Sequence, residues 1–304
     1  MAHIEDMYAV IVKFLTVALL LLPLMSSAAD LPFVVFDTLP LVFEAPPRFA
    51  PLVGRLQKMN PQAVTAAMEL VGLQATEPPI SITLAPEDSE IARQTPSWVS
   101  GYALVPSGRI VLFPDRRVSY PHGSLEGLLL HELTHVFVMR MTGSHTGPRW
   151  FEEGIAMVAS GERDLEDRAW GFWIGLTATP SALEDINRLF SEEPPAVQKA
   201  YLLSEALVRY LMTSFGPDIP RRILAERANG ISFEDAVQSV TGRSLLEFER
   251  SFWAQQTVWR RWIPVLTSST IIWVAVMLVA WAAFRKQRQR AAAVKRQWEQ
   301  EETP

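Results

Sequence analysis

The sequence predicts an α+β fold: a small mixed or antiparallel sheet, a mostly helical C-terminal half, and one transmembrane helix near the C-terminus. Three observations predict it. Short alternating apolar runs lie ahead of residue 114, apolar residues recur every three or four positions from Ser124 onward, and residues 263–284 form a block of 22 without a charge. The chain has 304 residues, 49% of them hydrophobic and 20% charged, which is enough for a sizeable core with apolar residues to spare. Part of that surplus is concentrated in two blocks, one near each end.

The first block, Met7 to Met25, is apolar apart from Lys13 and Thr16 and ends in Ser26-Ser27-Ala28-Ala29-Asp30, small residues suited to signal-peptide cleavage after Ala28 or Ala29. Glu5 and Asp6 spoil the positive start of such a signal, and a start at Met7 removes them. Phe33 to Phe36 and Leu41 to Phe43 then read as short strands, closed by Ala45-Pro46-Pro47. From about Phe49 to Leu73 the apolar spacing is helical, and Asn60-Pro61 divides the stretch into two helices. Ile80 to Leu84 alternates as a half-buried strand does. Gly101 to Val105 and Arg109 to Phe113 read as a hairpin turning at Pro106-Ser107-Gly108.

Ser124 is an N-cap candidate for a helix whose apolar stripe, Leu125, Leu128, Leu129, Leu133 and Val136, continues to Gly143. Further helices are expected at about 151–160, 200–214, 220–228, 232–240 and 244–256, punctuated by Gly216-Pro217, Asn229-Gly230 and Thr241-Gly242. Residues 164–198 carry no clear period and read as an active-site loop or a long connection.

The uncharged block at 263–284 crosses a hydrocarbon core of roughly 30 Å if it is helical. Arg285, Lys286, Arg288, Arg290, Lys295 and Arg296 follow it, against Arg260 and Arg261 before it, which puts the tail in the cytoplasm by the positive-inside rule. Trp259, Trp262 and Trp281 lie near the ends of the span, where indoles favour the interface. The chain therefore divides into a signal peptide at 1–29, an extracytoplasmic domain at 30–256, a juxtamembrane link at 257–262, a span at 263–284 and a basic tail at 285–304. Within the domain, 30–122 holds the strands and first helices, and 123–256 the helical, metal-binding part. The expected location is a bacterial-type inner membrane, single-pass, with the domain in the periplasm.

Cysteine is absent, which excludes a disulfide framework, a thiolate nucleophile and a Cys-based metal site. The mild net charge of −5, with the one dense basic run lying in the short tail, argues against nucleic acid as a partner. What stands out chemically is His131-Glu132-Leu133-Thr134-His135. Histidines four apart on a helix share a face and can meet one ion, while the glutamate between them lies beside it, free to act as general base. Two imidazoles need a third protein ligand to make a catalytic zinc site with one open position. Val138 and Met141 stand where a metzincin has Gly and His, which excludes that class. His145 sits after Gly143 in a loop-like run and is a weak candidate, so a carboxylate is the better third ligand.

The segment Pro148-Arg149-Trp150-Phe151-Glu152-Glu153-Gly154-Ile155-Ala156 resembles the Trp-x-x-Glu-Gly-x-Ala stretch of gluzincin metallopeptidases, the peptidase MA-like enzymes that include aminopeptidase-N-like catalytic cores. The resemblance implies a zincin-type active-site helix, a single Zn2+ bound by His131, His135 and Glu153, and Glu132 as the base. Tyr201 to Leu211 is similar to the helix that carries the catalytic Tyr of those enzymes, which implies Tyr201 as oxyanion donor. Gly230 to Ala236 and Thr241 to Leu245 resemble the tail of the same small domains, so the likeness covers about residues 100–256. Glu152, beside the implied ligand, reads as a helix N-terminal carboxylate.

Two departures narrow the implication. Met157 stands where thermolysin-like enzymes have an Asp that orients a metal-bound His, and Gly101-Tyr102-Ala103 lies roughly where aminopeptidase-N-like enzymes hold a substrate's amino end. The expected function is a membrane-anchored zinc endopeptidase acting on a peptide or protein substrate laid along one strand of the 101–113 hairpin. Two other readings fit the same fold: a non-catalytic interaction or assembly module with envelope-protein partners, and a zinc hydrolase of non-peptide substrates. The completeness of the His131, Glu132, His135, Glu153 and Tyr201 set favours catalysis.

Overall fold

Alternation and turn chemistry build the sheet, and helical periodicity builds what packs on it. The structure, a computed structural model, describes residues 33–36, 39–74, 78–104, 107–116, 122–143, 145–161, 182–193, 195–266, 273 and 276–288. Strands β1 (Phe33–Phe36), β2 (Leu39–Glu44), β3 (Ile80–Leu84), β4 (Gly101–Leu104) and β5 (Arg109–Leu112) form one sheet in the order β1-β2-β3-β5-β4. β2, β3 and β5 run parallel, while β1 and β4 pair antiparallel with their neighbours, so the sheet is mixed. Ile80, Ile82 and Leu84 are buried and Ser81 and Thr83 half-buried, the alternation expected of β3. β4 is an edge strand.

The parallel step from β2 to β3 needs a crossover, supplied by α1 (Ala50–Leu56) and α2 (Pro61–Val71). Asn60 caps α2 by accepting from Gln62 N–H at 3.0 Å, with Pro61 in the first turn where its missing N–H costs nothing. Before β4 comes a short helix, α3 (Glu90–Gln94). Its surroundings are held by Arg116, whose guanidinium donates to the Ala92, Pro96 and Val99 carbonyls at 2.8 Å each and to Glu87 at 2.7 Å. Ala92 and Phe113 bury a small second cluster there, apart from the main core.

The helical half comprises α4 (Leu125–Thr142), α5 (Arg149–Ser160), α6 (Leu183–Leu189), α7 (Ala196–Phe215), α8 (Ile219–Ala228), α9 (Phe233–Thr241) and α10 (Leu245–Leu266). Ser124 caps α4 by accepting from Gly127 N–H, and Gly143 ends it at φ 63°. α4 packs against β4, β5, α2, α5 and α8. Its expected single apolar stripe is too narrow a description, because Leu129, Leu133, Val136, Phe137 and Val138 are all buried, on every side of the helix. α5 and α7 make the most extensive contact between helices, and Gly154 permits it: a Cβ there would lie 2.6 Å from Val208 Cγ2.

The fold is thus mostly helical with a small mixed sheet. Among the described residues, no helix is long and apolar enough to cross a membrane. Residues 267–272, 274 and 275, in the middle of the expected span, lie outside the described residues, as do the signal segment at 1–29 and positions 164–181 of the unread stretch. Residues 276–288 are helical.

Candidate metal centre

The centre lies where α4, α5 and α7 meet beneath the edge strand. His131 and His135 are one helical turn apart on α4, and their Nε2 atoms are 3.1 Å from each other. α5 brings Glu153 across the α4–α5 contact, placing its Oε2 at 3.3 Å from His131 Nε2 and 3.4 Å from His135 Nε2. Metal–ligand bonds of about 2.0–2.1 Å at tetrahedral angles require ligand separations of roughly 3.3 Å, so the triangle has the dimensions of three zinc ligands. Glu153 Oε2 is buried without a hydrogen-bond donor, an arrangement that a cation would satisfy. His131, His135 and Glu153 are the metal-holding group among the described residues. His145 is outside it, exposed on the α4–α5 loop beside Gly230.

Electrostatics follow the same geometry. Burial opposes charge on both members of the pair, but the His135 and His131 imidazoles hold the Glu153 carboxyl well below the usual range. Against its own burial, His135 is pushed up to about 9 by Glu153, with Glu132 and Glu152 adding to the effect. A proton on His135 therefore does in the metal-free protein part of what a cation does in the loaded one. Glu132 is 7% exposed, and burial raises its carboxyl, while the Ala103 N–H of β4 donates to it and works the other way. That hydrogen bond joins the candidate base directly to the sheet edge.

Tyr201 projects from α7 with its ring 6.2 Å from that of His131 and edge-on to Phe190 at 5.2 Å. Burial, then the Glu153 charge, raises its phenol well above the ordinary value, so it is a proton-bearing donor. Glu152 lies in the first turn of α5 as expected, and accepts from Gly147 N–H, just before the helix, at 2.7 Å. All five residues singled out in the sequence, His131, Glu132, His135, Glu153 and Tyr201, are thus brought around one point.

Two neighbours were not anticipated. His122 is buried, with its ring 4.5 Å from that of His131, and burial, followed by the nearby His131, holds it well below its ordinary value. A lone His in a Pro-His-Gly turn carries no periodic signal that could have flagged it. Arg149 approaches Glu153 Oε1 through Nε at 3.4 Å, one turn before it on α5, and is the orienting partner for the carboxylate ligand. The i, i+4 spacing of Arg149 and Glu153 was visible in the sequence. Met157 is buried where an orienting Asp was missing, and His131 Nδ1 has no hydrogen-bond partner among the described residues.

Two imidazoles and a carboxylate converging beside a buried glutamate, on helices packed under a sheet edge, make a metal centre of the zincin type. The sequence agrees with the site: the model of the peptidase MA superfamily matches residues 62–263, about two thirds of the chain, and the chain belongs to that family. The match begins in α2, earlier than the likeness read from motifs alone. Among solved structures, the chain is similar to a two-domain M1 zinc metallopeptidase mutant bound to L-tryptophan, with 16% identity and a TM-score of 0.43. That alignment covers 75% of this chain and 50% of the other, so the chain spans about half the length of that relative. No curated protein matches the sequence. Zinc is the metal that family and donor set agree on.

Proposed function

We propose that this protein is a membrane-anchored zinc endopeptidase whose domain at 30–256 works outside the cytoplasm. The observation that carries the catalytic reading is the ligand triangle, with separations of 3.1, 3.3 and 3.4 Å, next to buried Glu132. His131, His135 and Glu153 would hold the zinc, which would supply Lewis acidity toward a carbonyl oxygen and make water acidic enough to lose a proton near neutral pH. Glu132 takes that proton and returns it to the leaving amine. Tyr201 donates its O–H to the negative charge that develops on the substrate's carbonyl oxygen. A peptide lying extended along β4 presents its backbone beside Ala103, whose N–H already points to Glu132. The edge strand has no segment resembling one that holds a free amino end, which favours internal cleavage.

Anchoring rests on the uncharged block 263–284 and the basic residues behind it. Its described part is consistent with a lipid-facing helix, since Met277 and Val279 are 70% and 71% exposed. The excess of positive charge after the block favours a cytoplasmic tail and an extracytoplasmic domain.

The test is Glu132→Gln in the full chain. The variant should bind zinc as tightly as the wild type while peptide hydrolysis falls by at least about 10²-fold, the usual scale for losing a general base. Unchanged hydrolysis would eliminate Glu132 as base. A zinc-loaded wild type that cleaves no peptide in a broad library would instead favour the interaction-module reading.

A further inference from the structure

We infer that Arg149 recognises a carboxylate on the substrate, either an acidic side chain or the C-terminal carboxylate, within about two residues of the scissile bond. The inference rests on the zinc-peptidase reading and specifies its substrate class; an acidic side chain keeps the cleavage internal, whereas a C-terminal carboxylate at that distance would make it terminal and replace the endopeptidase part of that reading. Arg149 and Glu153 share one face of α5, but the Arg149 side chain is 46% exposed and that of Glu153 only 11%, so the guanidinium lies at the mouth above the metal ligand. It is held from two sides. Nε approaches Glu153 Oε1 at 3.4 Å, and the guanidinium carbon stands 4.6 Å over the centre of the Phe190 ring. Phe190 is itself buried and meets Tyr201 edge-on at 5.2 Å, so one ring braces both the guanidinium and the candidate oxyanion donor.

An arginine fixed in this way keeps its donor fork for a ligand. Among the described residues its side chain makes a single hydrogen bond, through Nε, and both Nη groups are uncommitted. The entropy of ordering a long side chain has been lost before the ligand arrives, which leaves more of the interaction for affinity. The charge count points the same way. Glu132 and Glu153 balance a bound dication, Glu152 is committed to Gly147 N–H, and Arg227 gives its Nη groups to the Thr146 and Ile231 carbonyls. Among the described residues Arg149 is left as a surplus positive charge beside the metal ligands, its side chain 46% exposed. Because Nε touches the carboxylate that closes the ligand triangle, a group on the Nη edge lies roughly 7 Å from the reacting carbonyl, about two residue lengths of extended chain.

The test uses the zinc-loaded full chain in detergent and peptides that differ only by Asp or Asn at each position near the cleaved bond, or by a free or amidated C-terminus. The acid form should be preferred by about tenfold or more in kcat/KM at one of these places, and which place separates a side chain from a terminal carboxylate. In Arg149→Gln that ratio should fall to about one, and Arg149→Lys, which keeps the charge but not the fork, should fall between. Calorimetry on the turnover-deficient Glu132→Gln protein, with and without Arg149→Gln, should show the same preference in binding. A wild-type ratio near one overturns the inference, as does a ratio that survives Arg149→Gln. An equal loss for acid and amide peptides, the result expected if Arg149 only orients Glu153, also overturns it. A chain that binds the acid peptide selectively through Arg149 but cleaves nothing keeps the inference and removes the peptidase reading. An active chain indifferent to the carboxylate does the reverse.

Discussion

Three electron-rich atoms, two imidazole nitrogens and a carboxylate oxygen, are held within 3.4 Å of one another in a site where Glu153 is only 8% exposed. Such a cluster is unfavourable unless a proton or a cation sits among its members, and the fold nevertheless builds it from two separate helices. Of its residues, His131, Glu132 and His135 were legible directly, because a five-residue string on a helix fixes which side chains share a face. Glu153 came through the likeness of its segment to a known one. His122 was not legible at all, since only the tertiary structure puts its ring against His131. Tyr201 is the residue whose role is most open to test at this scale. Tyr201→Phe keeps the edge-on packing with Phe190 and removes only the O–H, so kcat should drop by about 10²-fold with KM little changed. Steady-state kinetics showing an unaltered kcat would reduce Tyr201 to a packing residue.

At the scale of elements, α4, α5 and α7 were readable because each is long and rich in apolar residues, in α5 and α7 at helical spacing. Their ends moved: α5 starts at Arg149 and α7 at Ala196, each after a proline that stops the preceding chain from being helical. α3 and α6 were missed. Glu90–Gln94 is five residues long, too short to show a period, and Leu183–Leu189 offers only Leu183 and Ile186 as buried positions, which α5 and α7 define by packing against them. The joint of α5 with α7 matters most for function, since it sets Glu153 against Tyr201. Gly154 lies in that joint, and the methyl of Gly154→Ala would meet the Ser204 backbone and Val208. Replacement should destabilise the protein by about 1–3 kcal/mol despite the better helix propensity of Ala, and should weaken zinc binding. Thermal unfolding of the variant with and without zinc checks both effects; a stability equal to or above wild type would mean that the helices are less closely apposed.

For the whole molecule, the class was legible from the order of patterns: strands first, helices after. The mixed character of the sheet was left open with the antiparallel alternative, because local alternation does not say which strand lies beside which; β3 pairs with β5 rather than with its sequence neighbour β4. The same scale holds the anchoring proposal. Phe248, Phe252 and Trp253 are buried in the core, so a chain ending at residue 256 retains these core residues of α10. That truncated chain should leave the membrane fraction and stay in solution, whereas the full chain should sediment with membranes and resist alkaline extraction. A full chain released by alkali would remove the span.

The claim on which the rest depends is that α4 and α5 together hold zinc, and metal analysis addresses it without reference to any substrate. Purified full chain, compared with Glu153→Gln and His135→Ala, is the direct measurement, by elemental analysis after dialysis against a weak chelator. A single zinc per chain in the wild type, with little or none in either variant, is the predicted result. Equal zinc in all three proteins, or none in the wild type after zinc is supplied, would contradict the site.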